Sequence, residues 1–529
     1  MPKTTTFTPT RLLDLGSASH TGIRLAITQP TSSITLPTDY AALSYCWGPP
    51  EDALKQPKLL TSNITSLCQN ISNDQLSPVM RDAITVCRDL GIRCIWIDAL
   101  CIIQDSKTDW EQQSQVMSQV YEGAYLTVCA MSSPSCLQPF LASRPVWSEY
   151  RYTSPINLNL TGTFRFRPVS GYDDPDPKPH LTLKKTPLEQ DLAASRWNER
   201  GWVFQEKSMS PRKLYFGQSM LHLQVDRTIL SENGHRTELE PHALDINTNT
   251  LSDTTIPVGP LLRTGQHPYE LWHAMVVNFA HLRWTDVRDV FPGLSGPAAR
   301  FQQTLQTDTY LAGHWVGDLH SSLIWTTSQR SDVKCSFSLS ELLGDVQSGN
   351  ALHAPSWSWA SRPEFFRFVL SILDQRRCRV RTHLRREFEL LGSSVEVDGI
   401  NPLGRLQDAP NSLRLSGKVI GLADITARPG WRLRENAEWE CANIERGYLV
   451  LVSCDWEAQR KGYGSGTEWP PQGVTEEDMG RMRLLLASSC CSDAVKLPEE
   501  GWEPGTAKVI NALNRLDYGE TFLGDPEFQ

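Results

Sequence analysis

"RCIWIDALCI", residues 93–102, holds an apolar run from Cys94 to Ile102 that is broken by a single charge, Asp98. Such a run, between two helix-like segments, suits a strand buried on both faces of a parallel sheet. Before it, "SPVMRDAITVCRDLG" (77–91) reads as a helix, with Ser77 as cap, Pro78 in the first turn and Gly91 as the stop. Val79, Ala83, Val86 and Leu90 fall on one predicted buried face. After it, "SKTDWEQQSQVMSQVYEGA" (106–124) reads as a second helix, with Ser106 and Asp109 as a capping-box signature. Trp110, Met117, Val120, Tyr121 and Ala124 are its predicted buried face, and "YLTVCAM" (125–131) follows as another strand.

Upstream, "ALSYCWGPP" (42–50) is a short apolar run closed by Gly48, Pro49 and Pro50, which cannot continue a strand ladder. The pattern predicts a strand ending at Trp47. Strand, helix, strand, helix, strand makes a three-layer α/β unit with a parallel sheet and right-handed crossovers. Ser44, Tyr45, Trp47, Asp98, Gln104 and Asp105 then lie at or beyond carboxyl ends of strands, where open α/β sheets form crevices.

Further on, Arg200–Met209 of "SRWNERGWVFQEKSMSPRKLYFG" (195–217) reads as two to three helical turns, and "RKLYFG" with "MLHLQV" as a hairpin. The predicted organisation is an α/β domain over 1–235, a polar linker over 236–265, a helical segment over 266–361 and a β-rich region over 362–529. That last region is expected to regulate or dock and to do no chemistry.

The 529 residues are 40% hydrophobic, enough for more than one core, and the net charge of −9 creates no attraction for nucleic acid or an anionic membrane. "MPKTTTFTPTRLLDLG" lacks the apolar segment of a secretory signal, and no apolar run reaches membrane-spanning length. These features predict a cytoplasmic protein, with the nucleus as the alternative because "RRCRVRTHLRRE" (376–387) is arginine-rich. The 13 cysteines contain no Cys-x-x-Cys pair, so no metal site is expected.

Three blocks, "YAALSYCWG" (40–48), "CIWIDALCIIQDSKTDWEQQSQVMSQVYEGAYLTV" (94–128) and "RGWVFQEKSMSPRKLYFG" (200–217), resemble the fungal heterokaryon-incompatibility (HET) domain in content and order. "YLAGHW" (310–315) and "APSWSWAS" (354–361) are similar to segments that often follow that domain. The resemblance implies a fungal source and a role in nonself recognition that ends in programmed cell death. It also implies remote kinship with TIR domains, hence a flavodoxin-like fold, and some TIR domains cleave NAD with a glutamate. Some HET-type proteins sit in secondary-metabolite clusters. The chain departs from the family pattern at Gln113, where glutamate is usual, and at Val225–Asp226, where Glu-Cys is common. An amide cannot act as a carboxylate base.

The candidate catalytic residues are Asp98, Glu206 and Glu111, the last lying near the position that Gln113 vacates. Candidate ligand-binding residues are Ser44, Tyr45, Trp47, Gln104, Asp105, Arg200 and Gln205. Two carboxylates on one cleft suit acid–base or glycosidic chemistry. Each has a structural alternative: Asp98 as a loop cap, Gln104 and Asp105 as turn residues, Arg200 and Glu206 as an ion pair holding a helix. Three functions remain open: an incompatibility signalling module working through self-association or a protein partner, a TIR-like enzyme with NAD as substrate, and a biosynthetic enzyme or accessory factor acting on another small molecule. None requires a bound cofactor.

Overall fold

The computed structural model describes residues 7–16, 22–28, 39–141, 148–156, 159–166, 186–239, 267–323, 325–327, 388–407 and 411–421, with shorter pieces between and after them. Most of the expected linker at 236–265 and the arginine-rich stretch lie largely outside the described residues. The chain divides into two compact units. One is Met1–Gln266 with Gly293–Arg300, the other His267–Pro292 with Phe301–Gln529.

The first unit is built on strands β1 (Arg11–Asp14), β2 (Arg24–Ile27), β3 (Tyr40–Ser44), β4 (Cys94–Trp96) and β5 (Leu126–Cys129). A separate hairpin, β6 (Ser148–Thr153) and β7 (Thr161–Phe166), precedes β8 (Arg212–Phe216), β9 (Leu221–Val225), β10 (Thr228–Ser231) and β11 (Arg236–Glu238). Its helices are α1 (Pro50–Lys55), α2 (Ile64–Gln69), α3 (Pro78–Asp89), α4 (Asp98–Cys101), α5 (Lys107–Gly123), α6 (Pro187–Ala193) and α7 (Gly201–Met209).

Nine strands form one sheet in the order β11-β10-β9-β8-β5-β3-β4-β1-β2. The middle four, β8-β5-β3-β4, run parallel. The flanking strands are antiparallel, so the sheet is mixed where a parallel one was expected. The reason is local: β1–β2 and β8 through β11 are joined by short connections, and a short connection permits only antiparallel pairing. β1 and β2 escape a reading based on long apolar runs because they have four residues each.

Alternation along the central strands sorts the two faces. Ala41, Leu43, Ile95 and Val128 share a core with Val79, Met80, Ala83, Ile84 and Cys87 of α3. On the other face, the Tyr40 hydroxyl donates to the Val120 carbonyl of α5 at 2.7 Å, and Trp96 meets Tyr121 edge-on at 5.6 Å. Leu90, predicted to be buried, is 52% exposed because α3 ends at Asp89 and the chain turns away. The Ser106 hydroxyl caps α5 by accepting from Asp109 N at 3.2 Å. The Asp109 carboxylate does not return the bond: it accepts from Ile103 N at 2.7 Å and pairs with Arg11 of β1.

In the second unit, the hairpin Tyr310–Leu311/His314–Trp315 turns through Ala312 and Gly313, both at positive φ. The indoles of Trp272 and Trp359 each donate to the Gly313 carbonyl at 3.1 Å, and the Ser358 hydroxyl donates to the Ala312 carbonyl at 2.6 Å. "YLAGHW" and the serine–tryptophan segment therefore interlock. Strands Phe388–Ser394, Ser412–Gly421, Arg483–Leu485 and Glu503–Ile510 pair in one sheet of this unit.

Candidate functional site

β3 leaves the ladder at Ser44, three residues before the predicted end, so Tyr45, Cys46 and Trp47 follow the strand and lie outside it. Ser44 is fully buried, and its hydroxyl donates to the Glu206 carboxylate of α7. The same oxygen accepts from Trp197 Nε1 at 2.8 Å. Arg200, which precedes α7, donates to the Tyr45 carbonyl at 2.6 Å and ties the start of that helix to the end of β3. Trp47 Nε1 donates to Asp98 Oδ2 at 2.9 Å, while Oδ1 accepts from Ala99 N at 2.6 Å. Asp98, the first residue of the short α4, thus satisfies an N–H of that helix's first turn and binds the neighbouring loop with the same carboxylate.

Six of the ten predicted site residues come together here: Ser44, Tyr45, Trp47, Asp98, Arg200 and Glu206. Glu206 is 8% exposed, and burial pushes its carboxyl up to about 7 against the pull of the Ser44 hydrogen bond and the nearby Arg200 charge. The negative charge of Asp98 adds to the rise. Asp98 is also raised by burial, relieved by the Ala99 N–H, Trp47, Tyr45 and the Arg200 charge, yet it keeps part of its surface open. The Tyr45 hydroxyl is buried beside Asp98, and its own proton is held more tightly by burial and by the charge and hydrogen bonding of that carboxylate. Two carboxyls with raised affinity for protons, one arginine and two aromatic rings form a constellation of the kind acid–base chemistry uses.

The other four predicted residues make their bonds elsewhere. The Gln104 side-chain amide donates to the Asp98 carbonyl at 3.3 Å and the Ile102 carbonyl at 3.0 Å, holding the backbone of α4. Asp105 is exposed and accepts from Thr61 N at 2.9 Å and Thr61 Oγ1 at 2.7 Å, bonds that lower its pKa. Glu111 pairs with Lys107 at 3.6 Å along α5. Gln205 is fully buried and its Oε1 accepts from Gly296 N at 3.4 Å. Gln113 is buried too, and its carbonyl accepts from Thr10 Oγ1 at 3.2 Å, a bond an amide makes well.

Several groups escaped the sequence reading. Trp197 sits in a single 3-10 turn, Arg196–Glu199, with no periodic signal. Lys207 and Lys213 are buried, and desolvation pushes each amine down to about 7. Lys207 Nζ donates to Asn198 Oδ1 at 2.7 Å, and Lys213 Nζ donates to the Lys207 carbonyl at 2.7 Å. His222 lies between Asp191 at 3.0 Å and Ser231 at 2.8 Å, a triad in composition. All three are nearly solvent-free, and Asp191 also accepts from Ser219 N and Oγ, so this network clamps α6 to the β8–β10 hairpins.

The family model of the heterokaryon incompatibility protein (HET) matches residues 40–206. This stretch is a HET domain. The match opens on Tyr40, the first residue of β3, and closes on Glu206, so it contains both ends of the Ser44–Glu206 bond. No curated protein and no solved structure gives a match. Among the described residues, no three His, Cys, Asp or Glu side chains of the HET domain or the rest of the chain group to hold a metal ion. Among them, too, no helix is long and apolar enough to cross a membrane.

Proposed function

We propose that this chain is a cytoplasmic protein of fungal nonself recognition whose HET domain signals heterokaryon incompatibility and triggers programmed cell death. The cluster within the matched stretch, where Arg200 and Asp98 act on the buried Glu206, is the observation that carries a specific site for that signal. In this reading the region after 361 regulates the signal, through self-association or a protein partner. Expression of the full chain in a fungal host, with viability as the readout, is the test. Cell death that Asp98→Asn or Glu206→Gln abolishes supports the reading, and unimpaired growth at full expression of the parent protein sinks it.

A second reading makes the signal enzymatic, and Glu206 favours it. A carboxyl titrating near 7 can take and return a proton at neutral pH. Remote kinship with TIR domains supports NAD as the substrate. The ribosyl–nicotinamide C–N bond would break with its electron pair leaving on nicotinamide. Water oxygen would bond to the ribose carbon, its proton passing to a carboxylate, while Asp98 would accept from ribose hydroxyls. Full-length protein incubated with NAD should release nicotinamide, and Glu206→Gln should lower the rate at least a hundredfold, as loss of a general base does. Toxicity without nicotinamide release would leave signalling by binding alone.

A further inference from the structure

We propose that Ser44 and Trp197 are positioning residues that fix which oxygen of Glu206 carries its proton. An indole N–H can only donate, and a serine hydroxyl has one proton and two lone pairs. Trp197 Nε1 occupies a lone pair of Ser44 Oγ at 2.8 Å. Glu206 Oε2 is the one acceptor that the Ser44 hydroxyl meets among the described residues, so its single proton is directed there. Oε2 is therefore an acceptor in both protonation states, and the proton of the acid form sits on Oε1.

The frame that enforces this is rigid. Ser44 pairs with Cys129 in the sheet, and its carbonyl accepts from Ala130 N at 2.9 Å. Trp197 is fully buried and meets Tyr215 of β8 edge-on at 6.0 Å. Without the indole, the Ser44 hydroxyl is free to rotate and accept from Glu206, and the acid proton can settle on Oε2, facing β3. With it, that arrangement is closed and the proton stays on the oxygen that Ser44 does not hold. A hydrogen bond to the ionised form also favours ionisation, so the relay offsets part of the desolvation at this carboxyl.

The inference deepens the reading of Glu206 as a proton donor and acceptor and rests on it for its purpose. Its test reads the carboxyl directly and does not use nicotinamide release, so the two can fail separately. Full-length protein carrying ¹³C in its glutamate carboxyls is titrated by NMR, with the Glu206 signal assigned by its loss in Glu206→Gln. Ser44→Ala should raise the Glu206 midpoint by about one pH unit, tenfold in its ionisation constant. Trp197→Phe should raise it by less, and should add nothing in the Ser44→Ala background, because the indole acts through Ser44. An unchanged midpoint in Ser44→Ala overturns the relay, as do equal shifts from Trp197→Phe in both backgrounds. If one single variant does not fold, the other decides: an unmoved midpoint in it overturns the proposal and a raised one supports it.

Discussion

Trp47 and Asp98, 51 positions apart in sequence, share a hydrogen bond of 2.9 Å at the carboxyl ends of two adjacent parallel strands. The bond gives one carboxylate two duties, closing the loop after β3 and holding the Ala99 N–H in the first turn of α4. Trp47→Phe keeps the ring and removes the donor. It should destabilise the protein by about 1–2 kcal/mol, as loss of a bond to a charged group does, and raise the Asp98 midpoint further. Urea unfolding and a carboxyl titration check the two effects. An unchanged Asp98 midpoint would mean that the indole contributes packing only.

Stability against pH should pass through a minimum near neutrality from three groups around α7. Glu206 is raised from 4.5 to about 7, so its contribution is present below about 4.5 and is lost as pH rises through about 7. Lys207 and Lys213 are lowered from 10.5 to about 7, so they destabilise near 7, and stability recovers toward 10.5. Glu206→Gln should flatten the acid limb by roughly 3 kcal/mol, and Lys207→Met the alkaline limb by a similar amount. Chemical denaturation between pH 5 and pH 9 reads both limbs. Parallel curves for parent and variant would refute the assignment.

Phe204, not Trp202, is the anchor of α7. Trp202 is half-buried and meets Trp110 edge-on at 6.4 Å, whereas Phe204 is 1% exposed. Phe204→Ala should cost about 3–5 kcal/mol, the range for a well-packed aromatic, and Trp202→Ala about half of that. Equal losses in urea unfolding would contradict the ranking.

Gly296 admits no side chain in its present place. A Cβ there would stand 2.3 Å from Ser118 Cβ of α5 and 3.2 Å from Gln205 Cδ of α7. Gly296→Ala should therefore lower stability by about 1–3 kcal/mol through overpacking. Ser118→Gly in the same chain should return much of it. Additive losses in the double variant would show that the two positions do not press on each other.

The elements legible in the sequence were those with a strong period or an unbroken apolar run. α3 begins at Pro78 as the proline predicts, though Ser77 takes the cap position without its hydroxyl making a capping bond, and α5 carries its cap at Ser106. Of the strand expected over 93–102 only Cys94–Trp96 forms, because the chain turns into α4 at Asp98. The lone carboxylate there was readable, since a charge in an apolar run has few structural homes. The hairpin pair β8 and β9 was visible as well, but β1, β2, β10 and β11 are three to four residues long and carry too little pattern to register. The Ser44–Glu206 contact spans 162 positions, and only the family resemblance placed the two in one domain. The roles of Gln104, Asp105 and Gln205 were hidden because a polar side chain near a site can serve the backbone as easily as a ligand, and spacing does not tell which.

The inclusion of Gly293–Arg300 in the first unit sets a timetable for the protein's synthesis. Arg300 pairs with Glu122 of α5, and Gly296 reaches Gln205 beside Glu206, yet this short stretch emerges from the ribosome long after α7. At usual translation speeds the delay is on the order of ten seconds, far longer than helix or hairpin formation takes. During that interval the nascent chain holds its sheet and its acid-bearing helix with part of their packing still to come. The packing around Glu206 is thereby withheld from an unfinished polypeptide, because α7 gains its last contacts only when residue 300 has been made.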